Sequence, residues 1–335
     1  MSVEEVEMVL AKVKAKQVVL ICHQNADPDA LGSVYAFAQL LKRTHPQMDV
    51  EVAPAQGVSK ISGEILKAIP MDITTAPRIE AADVIFLLDT STIEQVGPWK
   101  SRLENTTKPI IVIDHHATHP KTKELAHLAI IQENASSACE IVYEMFRQKK
   151  VQPSLETAQA LFLGIAFDTK HFSIANSDTF KTIAELIDFG VDPKEVLHLL
   201  MIPMEYSEKT SRLKAAKRLK LIKVGGWLIT VSHVSSYQSS AARALLKVGA
   251  HVAAVGGKKG KTFKISLRSA TEFYRKTGIH LGRDIAKPLG DYINGMGGGH
   301  STAAGASGTG EFTKVSEKCI ALFQEKLSDP QSNHL

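Results

Sequence analysis

The chain has 335 residues and a formal net charge of +5, with 44% hydrophobic and 22% charged residues. These values are typical of a globular protein and exclude a mostly disordered chain, a fibrous repeat and a strongly acidic surface. A chain of this length predicts two domains.

The first half alternates short apolar runs with amphipathic stretches. This alternation predicts a parallel sheet that is covered by helices on both faces. Strands are predicted at 17–22, 48–53, 83–88 and 109–113, and helices at 30–43, 136–149, 155–167 and 177–189.

The second half predicts a smaller α/β unit after a charged helical segment. The predicted organisation is a domain at 1–195, a helical connector at 196–222 and a second domain at 223–330. Strands are predicted at 227–231, 252–256 and 262–267, and helices at 240–248 and 313–326.

Charge is distributed unevenly between these halves. Residues 1–150 contain 16 Lys/Arg and 19 Asp/Glu, a balance of −3. Residues 243–287 contain 11 Lys/Arg and two acidic residues, a balance of +9. The first half is therefore expected to hold cations and the second an anion.

Two features indicate a reducing, cytoplasmic location. Cys22, Cys139 and Cys319 lie far apart with no CxxC pair, which argues against a thiolate zinc site and a disulfide framework. No stretch approaches 18 uninterrupted apolar residues, and acidic residues precede the first apolar run. We therefore expect neither a secretory signal nor a membrane span.

Four segments place Asp or His directly after an apolar run. A single aspartate there is commonly a helix cap or a turn residue. Four such segments would bring carboxylates together at one edge of a sheet, where they repel unless cations neutralise them. Carboxylate and imidazole without thiolate favour Mn²⁺ or Mg²⁺ over structural zinc. The candidates are His23, Asp27, Asp29, Asp89, Asp114, His115, His116 and Asp168.

The motifs also resemble those of a known family. HQNADPDALGS, LLDTS, IDHHATH and IAFDT occur in the order of the four motifs of the DHH phosphoesterase superfamily, and GMGGGHSTAAGAS resembles the glycine-rich signature of its DHHA1 substrate domain. The resemblance covers residues 15–325. The usual Pro-Asp-Gly-Asp core of the first motif is here Ala-Asp-Pro-Asp, which keeps Asp27 and Asp29 on either side of one residue of a predicted loop.

The resemblance implies a site for two Mn²⁺ ions, with Mg²⁺ as the alternative, that share Asp89. His116 would lie beside the substrate phosphate and donate a hydrogen bond or a proton to the leaving oxygen, while Asp114 would orient a histidine. The implied ligands of the first metal are His23, Asp27 and Asp89, and those of the second are Asp29, Asp89, His115 and Asp168.

The second domain is expected to bind the rest of the substrate. A glycine cluster exposes backbone N–H groups and lets an anion approach closely, although such a cluster alone is more often a turn. The resemblance places it with an arginine around the phosphate and nucleotide. The candidates are Arg268, Ser269, Gly297, Gly298, Gly299, His300 and Ser301. Lys258, Lys259, Lys261 and Lys264 are interpreted as an extension of this anionic track or as a solvated face.

Three functions remain open at this point. The resemblance is closest to the nano-RNase/pAp phosphatase group, which implies a Mn-dependent phosphodiesterase or exonuclease that hydrolyses short oligonucleotides (nanoRNA) and also pAp. The first alternative is a RecJ-like exonuclease for longer single strands, and the second is a non-catalytic nucleic-acid-binding scaffold. The expected partners are short oligonucleotides or nucleotide phosphates but no membrane, and a homodimer is left open.

Overall fold

In the computed structural model, which describes residues 3–117, 119–201, 204–260 and 262–328, five short apolar segments form a parallel sheet. Its strand order is β2-β1-β3-β4-β5, and every neighbouring pair is parallel. The strands are β1 (Gln17–Cys22), β2 (Asp49–Pro54), β3 (Val84–Leu88), β4 (Ile110–Asp114) and β5 (Leu128–Ile131). The predicted parallel α/β architecture is confirmed.

Burial on both faces explains why β1 is a continuous apolar run. Val18 and Leu20 enter the hydrophobic cluster on one face of the sheet, while Val19 and Ile21 enter the cluster on the other. Because side chains alternate along a strand, a strand between two cores needs apolar residues at every position.

Helices flank this sheet, and those predicted at 30–43, 136–149, 155–167 and 177–189 are among them. The helices are α1 (Val3–Val13), α2 (Pro28–Thr44), α3 (Lys60–Ala68), α4 (Lys100–Glu104), α5 (Pro120–Leu125), α6 (Ala138–Gln148), α7 (Leu155–Asp168), α8 (Ser177–Asp188) and α9 (Pro193–Val196). Two 3₁₀ segments, Ile93–Trp99 and Leu197–Leu200, complete the unit.

Helices α2 and α7 approach each other closely through glycines. A Cβ atom at Gly164 would lie 2.3 Å from Cys139 Sγ and 3.1 Å from Asp29 Cα, and one at Gly32 would lie 2.7 Å from the Ala160 carbonyl oxygen. Only glycine leaves room for this packing beside Asp29, in the first turn of α2.

The second unit contains a six-stranded mixed sheet in the order β10-β11-β9-β8-β7-β6. β7 and β8 are parallel, and the other neighbouring pairs are antiparallel. Its strands are β6 (Lys220–Val224), β7 (Trp227–His233), β8 (Val252–Lys259), β9 (Thr262–Ser269), β10 (Met296–Gly299) and β11 (Ala303–Gly308). The prediction of a second, smaller α/β unit is confirmed.

The helices of this unit cover both faces of its sheet, with one hydrophobic cluster on each side. They are α10 (Tyr206–Lys217), α11 (Gln238–Lys247), α12 (Thr271–Thr277), α13 (Lys287–Tyr292) and α14 (Phe312–Ser328), with a π-helical turn at Leu281–Ala286. No helix in the described residues combines the length and apolar character that crossing a bilayer requires.

Backbone contacts divide the chain into Met1–Ile202 and Pro203–Leu335. Within the range predicted as a helical connector, 196–222, the structure has α10 followed by the first residues of β6. The assignment of catalysis to 1–195 and of substrate binding to 223–330 stays a prediction.

Candidate functional site

The first group of the candidate site forms where β1 ends. His23 follows the strand, and its Nε2 atom lies 3.7 Å from Asp27 Oδ2 and 3.6 Å from Asp89 Oδ2. Asp27 caps α2, since its Oδ1 accepts hydrogen bonds from the amides of Asp29 and Ala30, both at 3.1 Å. The cap fixes the carboxylate and leaves Oδ2 beside the histidine.

The second group lies around His115, which follows β4. Its Nε2 atom is 3.2 Å from Asp168 Oδ2, 3.6 Å from Asp89 Oδ1 and 3.8 Å from Asp29 Oδ2. Asp89 thus presents one oxygen to His23 and the other to His115. The six predicted ligands come together in two groups that share this carboxylate.

Asp29 lies within the first turn of α2, so the expectation that it belongs to a loop is wrong. Proline is favoured at the first position of a helix, and Pro28 starts α2 there. The buried Asp29 carboxylate accepts hydrogen bonds from the amides of Ala138 (2.7 Å) and Cys139 (2.9 Å) at the start of α6. This contact with the α6 amino end is a part of the site that the motifs do not reveal.

His116 is anchored by the buried carboxylate of Asp114. Its Nδ1 atom lies 3.0 Å from Asp114 Oδ1 and 3.4 Å from Asp89 Oδ1, and its backbone amide donates to the same Asp114 oxygen at 2.9 Å. The His116 side chain is 54% exposed. Asp114 therefore fixes the ring through Nδ1 and leaves Nε2 for a molecule outside the site.

The backbone adopts left-handed conformations beside these groups. Asp89 has φ = 48°, and its amide donates to the Ile113 carbonyl at 3.0 Å. Three consecutive residues after Asp168, Lys170–Phe172, have φ between 50° and 66°. Non-glycine residues rarely adopt this region, and such strain concentrates at functional sites.

Burial and mutual charge shift the pKa values of the group in opposite directions. Burial alone would raise the pKa of Asp89, but His116 and His23 outweigh it and lower that pKa to about 2. Burial alone would lower the pKa of His23, but Asp27 and Asp89 raise it to about 11. The Asp114 carboxylate, which accepts a hydrogen bond from the ring, and the nearby Asp89 carboxylate raise the pKa of His116 to about 10.

Two carboxylates are destabilised in their charged form. Burial raises the pKa of Asp29 well above its ordinary value, with the charges of Asp89 and Asp168 adding to the effect. Burial likewise raises the pKa of Asp168. A nearby cation would stabilise the charged form of both groups.

The residues fit a divalent cation. Asp89 Oδ1 and His115 Nε2 are buried and, within the described residues, have no hydrogen-bond partner. Ligand atoms of His23, Asp27 and Asp89 lie within 4.8 Å of one another, as do those of Asp29, His115 and Asp168. Carboxylate oxygen and imidazole nitrogen without thiolate is a donor set for Mn²⁺ or Mg²⁺, so this group could hold metal.

In the second unit, Arg268 lies within a small cationic cluster. Its Nη1 donates to the Leu267 carbonyl at 2.8 Å, and its Nη2 donates to Ser239 Oγ at 2.6 Å. Arg243 Nη1 also donates to Ser239 Oγ, at 3.2 Å. Burial, with a further contribution from Arg243, lowers the pKa of Arg268. Ser239 and Arg243 are absent from the predicted set, although Arg243 begins the basic stretch.

Ser269 and the three glycines of the cluster lie in strands, not in a turn. Ser269 follows Arg268 at the end of β9, and side chains alternate between the faces of a strand. Ser269 is buried, and its Oγ has no hydrogen-bond partner in the described part of the chain. Gly297–Gly299 belong to β10, while His300 and Ser301 connect β10 to β11. A Cβ at Gly297 would lie 1.7 Å from the Ala286 carbonyl oxygen, whereas one at Gly298 would meet nothing within 4 Å.

Of the predicted lysine track, Lys258 and Lys264 are exposed. Lys261 and the side chain of Lys259 lie outside the described residues.

The chain is similar to several known proteins. Residues 17–165 match the model of the DHH family, N-terminal domain. An uncharacterized protein of Methanocaldococcus jannaschii is 34% identical over 318 residues, which cover 93% of each chain. The bifunctional oligoribonuclease and PAP phosphatase NrnA of Bacillus subtilis is 27% identical over 306 residues, which cover 87% of this chain and 88% of that protein.

A solved structure shares the fold. The crystal structure of an exopolyphosphatase-related protein from Bacteroides fragilis has a TM-score of 0.61 at 20% identity and covers 98% of this chain and 97% of its own. The chain belongs to the DHH family, and its class is that of the phosphoesterases.

Proposed function

We propose that this protein is a Mn²⁺-dependent phosphodiesterase that hydrolyses short oligonucleotides and also removes a phosphate from pAp. The observation that carries the proposal is the position of Asp89 between His23 and His115, at 3.6 Å from each. One buried carboxylate can in this way serve two cations, as two-metal hydrolysis requires.

The cations, when bound, would supply charge stabilisation to the phosphoryl group and activation of the attacking water. Asp29 and Asp168 would complete the ligand set around His115, while Asp27 would do so around His23. Among the carboxylates, Asp27 and Asp29 are held rigidly by helix amides, which fixes the geometry before substrate arrives.

His116 would act on the leaving oxygen. With Nδ1 held by Asp114, its exposed Nε2 is the atom that can donate a hydrogen bond or a proton. In the metal-free protein the Asp114 and Asp89 carboxylates raise the pKa of His116 to about 10, which favours the protonated ring.

The preference for short substrates has two supports. One is the relative from Bacillus subtilis, whose name gives oligoribonuclease and PAP phosphatase activities. The other is the cationic cluster of Arg268 and Arg243, because paired guanidinium groups suit a terminal phosphate. Binding of the terminal phosphate by these two arginines would favour substrates whose length places that phosphate at the cluster.

A panel of labelled 2-mers to 24-mers of RNA and DNA, together with pAp, tests the proposal with Mn²⁺ present. We expect the shortest RNA substrates and pAp to be hydrolysed fastest. The variant Asp89→Asn serves as the matched negative control for contaminating nucleases. Faster hydrolysis of the 24-mer would contradict the short-substrate proposal and favour a RecJ-like exonuclease, and hydrolysis of none of them would contradict the phosphodiesterase proposal itself.

A further inference from the structure

A cavity of about 760 Å³ opens in the second unit where β7 and β8 end. His233 closes β7, and Gly257 and Lys258 lie near the end of β8. These two strands are parallel. In open α/β sheets, ligands bind outside the carboxyl ends of parallel strands, and the volume falls in the range of small-molecule sites.

This cavity is separate from the predicted phosphate site at Arg268. Lys258 pairs with Phe263 at one end of the β8–β9 ladder, and Ala253 pairs with Arg268 towards the other. Five residues of extended strand separate the two positions on β9, a distance of about 17 Å. A ligand in the cavity would therefore lie at the opposite end of the strand from Arg268.

The lining is cationic, and its charges come from different elements. Lys214 belongs to α10, Arg218 follows that helix, and Lys258 belongs to β8. Within the described residues none of the three forms an ion pair, and Arg218 Nη1 donates only to the His233 carbonyl oxygen, at 3.4 Å. One carboxylate, that of the exposed Glu311, also lines the cavity. The excess of two positive charges favours an anion.

The start of α14 adds to this preference. Residues 310–312 line the cavity, and the 17-residue helix begins at Phe312 with no acidic side chain in its first turn. The amino end of a helix carries partial positive charge and free N–H groups. The helix end thus faces the same space as the three cationic side chains.

The cavity also has an aromatic wall. The rings of His233 and Phe312 have centroids 4.7 Å apart at an interplanar angle of 47°. The side chain of Phe263, which also lines the cavity, is only 2% exposed. A planar group can pack against these rings while an attached anion reaches the cations.

We propose that this cavity is a nucleotide-binding site, distinct from Arg268 and the glycine segment, that takes one base and one phosphate. The base packs against Phe312 and His233, and the phosphate lies between Lys214, Arg218 and Lys258. A free mononucleotide and the phosphorylated end of an oligonucleotide present the same chemistry.

Calorimetric titration of the full chain with AMP in EDTA tests this site without turnover. We expect the Kd of AMP to rise at least about tenfold in Lys258→Met/Arg218→Gln, the loss of two charged hydrogen-bond donors. Lys220→Met, which removes an exposed lysine outside the cavity, is the matched control and should change the Kd less than twofold, roughly the scatter between surface variants. Phe312→Leu should weaken AMP more than inorganic phosphate.

Two results would overturn the proposal. One is the absence of AMP binding at millimolar concentration. The other is AMP binding that Arg268→Gln abolishes while the Lys258→Met/Arg218→Gln variant retains it, because the nucleotide would then occupy the Arg268 cluster. Thermal melting of each variant verifies the fold.

A 5′-phosphorylated RNA 4-mer in the same titration distinguishes the two sources of the nucleotide. Weaker binding than AMP assigns the site to free mononucleotide, and tighter binding that the double variant removes assigns it to a strand end. If the double variant still bound both AMP and the RNA 4-mer as tightly as wild type, the proposed site would be wrong. Because the assay measures binding alone, its outcome is independent of catalysis by the first unit.

Discussion

Asp89 is the side chain on which the candidate metal site depends. It is 4% exposed, has a left-handed backbone conformation, and directs its two oxygens to histidines that follow different strands. Aspartate tolerates the left-handed region better than most residues do. The hydrogen bond from the Asp89 amide to the Ile113 carbonyl helps to hold the backbone in this conformation. The identity of the residue follows from the LLDTS motif, whereas its backbone conformation and its shared position do not.

We expect Asp89→Asn to lower turnover to less than about a tenth of wild type, because two-metal chemistry loses its common anionic ligand. Bound Mn²⁺ per chain, measured by equilibrium dialysis, should fall in parallel. Asp72→Asn, an exposed aspartate outside the site, is the matched control. Retained turnover with full metal content would contradict the shared-ligand assignment.

His116→Ala should separate catalysis from metal binding. Turnover should fall by roughly 10²–10⁴, the usual contribution of a positioned acid or base, while the metal content stays near that of wild type. Steady-state kinetics combined with metal analysis measures both quantities. Loss of metal in this variant would instead make His116 a ligand.

Among the elements, the close packing of α2, α6 and α7 surrounds Asp29. A methyl group at Gly164 would collide with Cys139 Sγ and crowd Asp29. Gly164→Ala should therefore destabilise the protein by about 1–3 kcal/mol through overpacking and weaken Mn²⁺ binding. Urea unfolding and metal titration are the measurements.

Gly63→Ala provides the control for that substitution. Gly63 lies within α3, and a Cβ there would meet nothing within 4 Å. The same change should leave metal binding intact and should stabilise the helix, by about 0.5–1 kcal/mol. Equal destabilisation by both variants would show that the collision at Gly164 is not the cause.

The side chain of Asp83 stabilises the start of β1 through two backbone hydrogen bonds. Asp83 Oδ2 accepts hydrogen bonds from the amides of Lys16 (2.8 Å) and Gln17 (3.0 Å), which lower the pKa of Asp83. Because the folded pKa is below the unfolded value of about 3.9, the stabilisation is complete above that pH and is lost as the pH falls through the folded pKa. In Asp83→Asn, the free energy of unfolding should fall less steeply as the pH is lowered, as measured by urea unfolding at successive pH values. An unchanged slope would contradict the contact.

The sequence predicts the elements that have strong patterns and misses those that depend on tertiary pairing. The strand β5 is only four residues long and lies at the sheet edge, so its pattern is weak. The strands β10 and β11 consist largely of Gly and Ala, which have little intrinsic strand preference. The Ser239–Arg243–Arg268 contact joins α11 to β9 and leaves no motif in the sequence.

At the scale of the whole molecule, the distribution of charge is consistent with the proposal that the first unit binds cations and the second binds phosphate. Residues 1–150, which have a charge balance of −3, contain all the candidate carboxylate and imidazole ligands except Asp168, and the basic stretch from 243 to 287 contains Arg243 and Arg268. Cation binding in the first unit and phosphate binding in the second stay predictions, and together they would suit a metal-dependent phosphodiesterase for short nucleic acids.

Hydrolysis of a 5′-phosphorylated RNA dinucleotide by the purified full chain, with Mn²⁺ and then with excess EDTA, tests this account most directly. We predict conversion to mononucleotides with Mn²⁺, loss of the activity in EDTA and its return when Mn²⁺ is restored. Hydrolysis that continues unchanged in EDTA, or no hydrolysis by wild type at any Mn²⁺ concentration, would contradict the account.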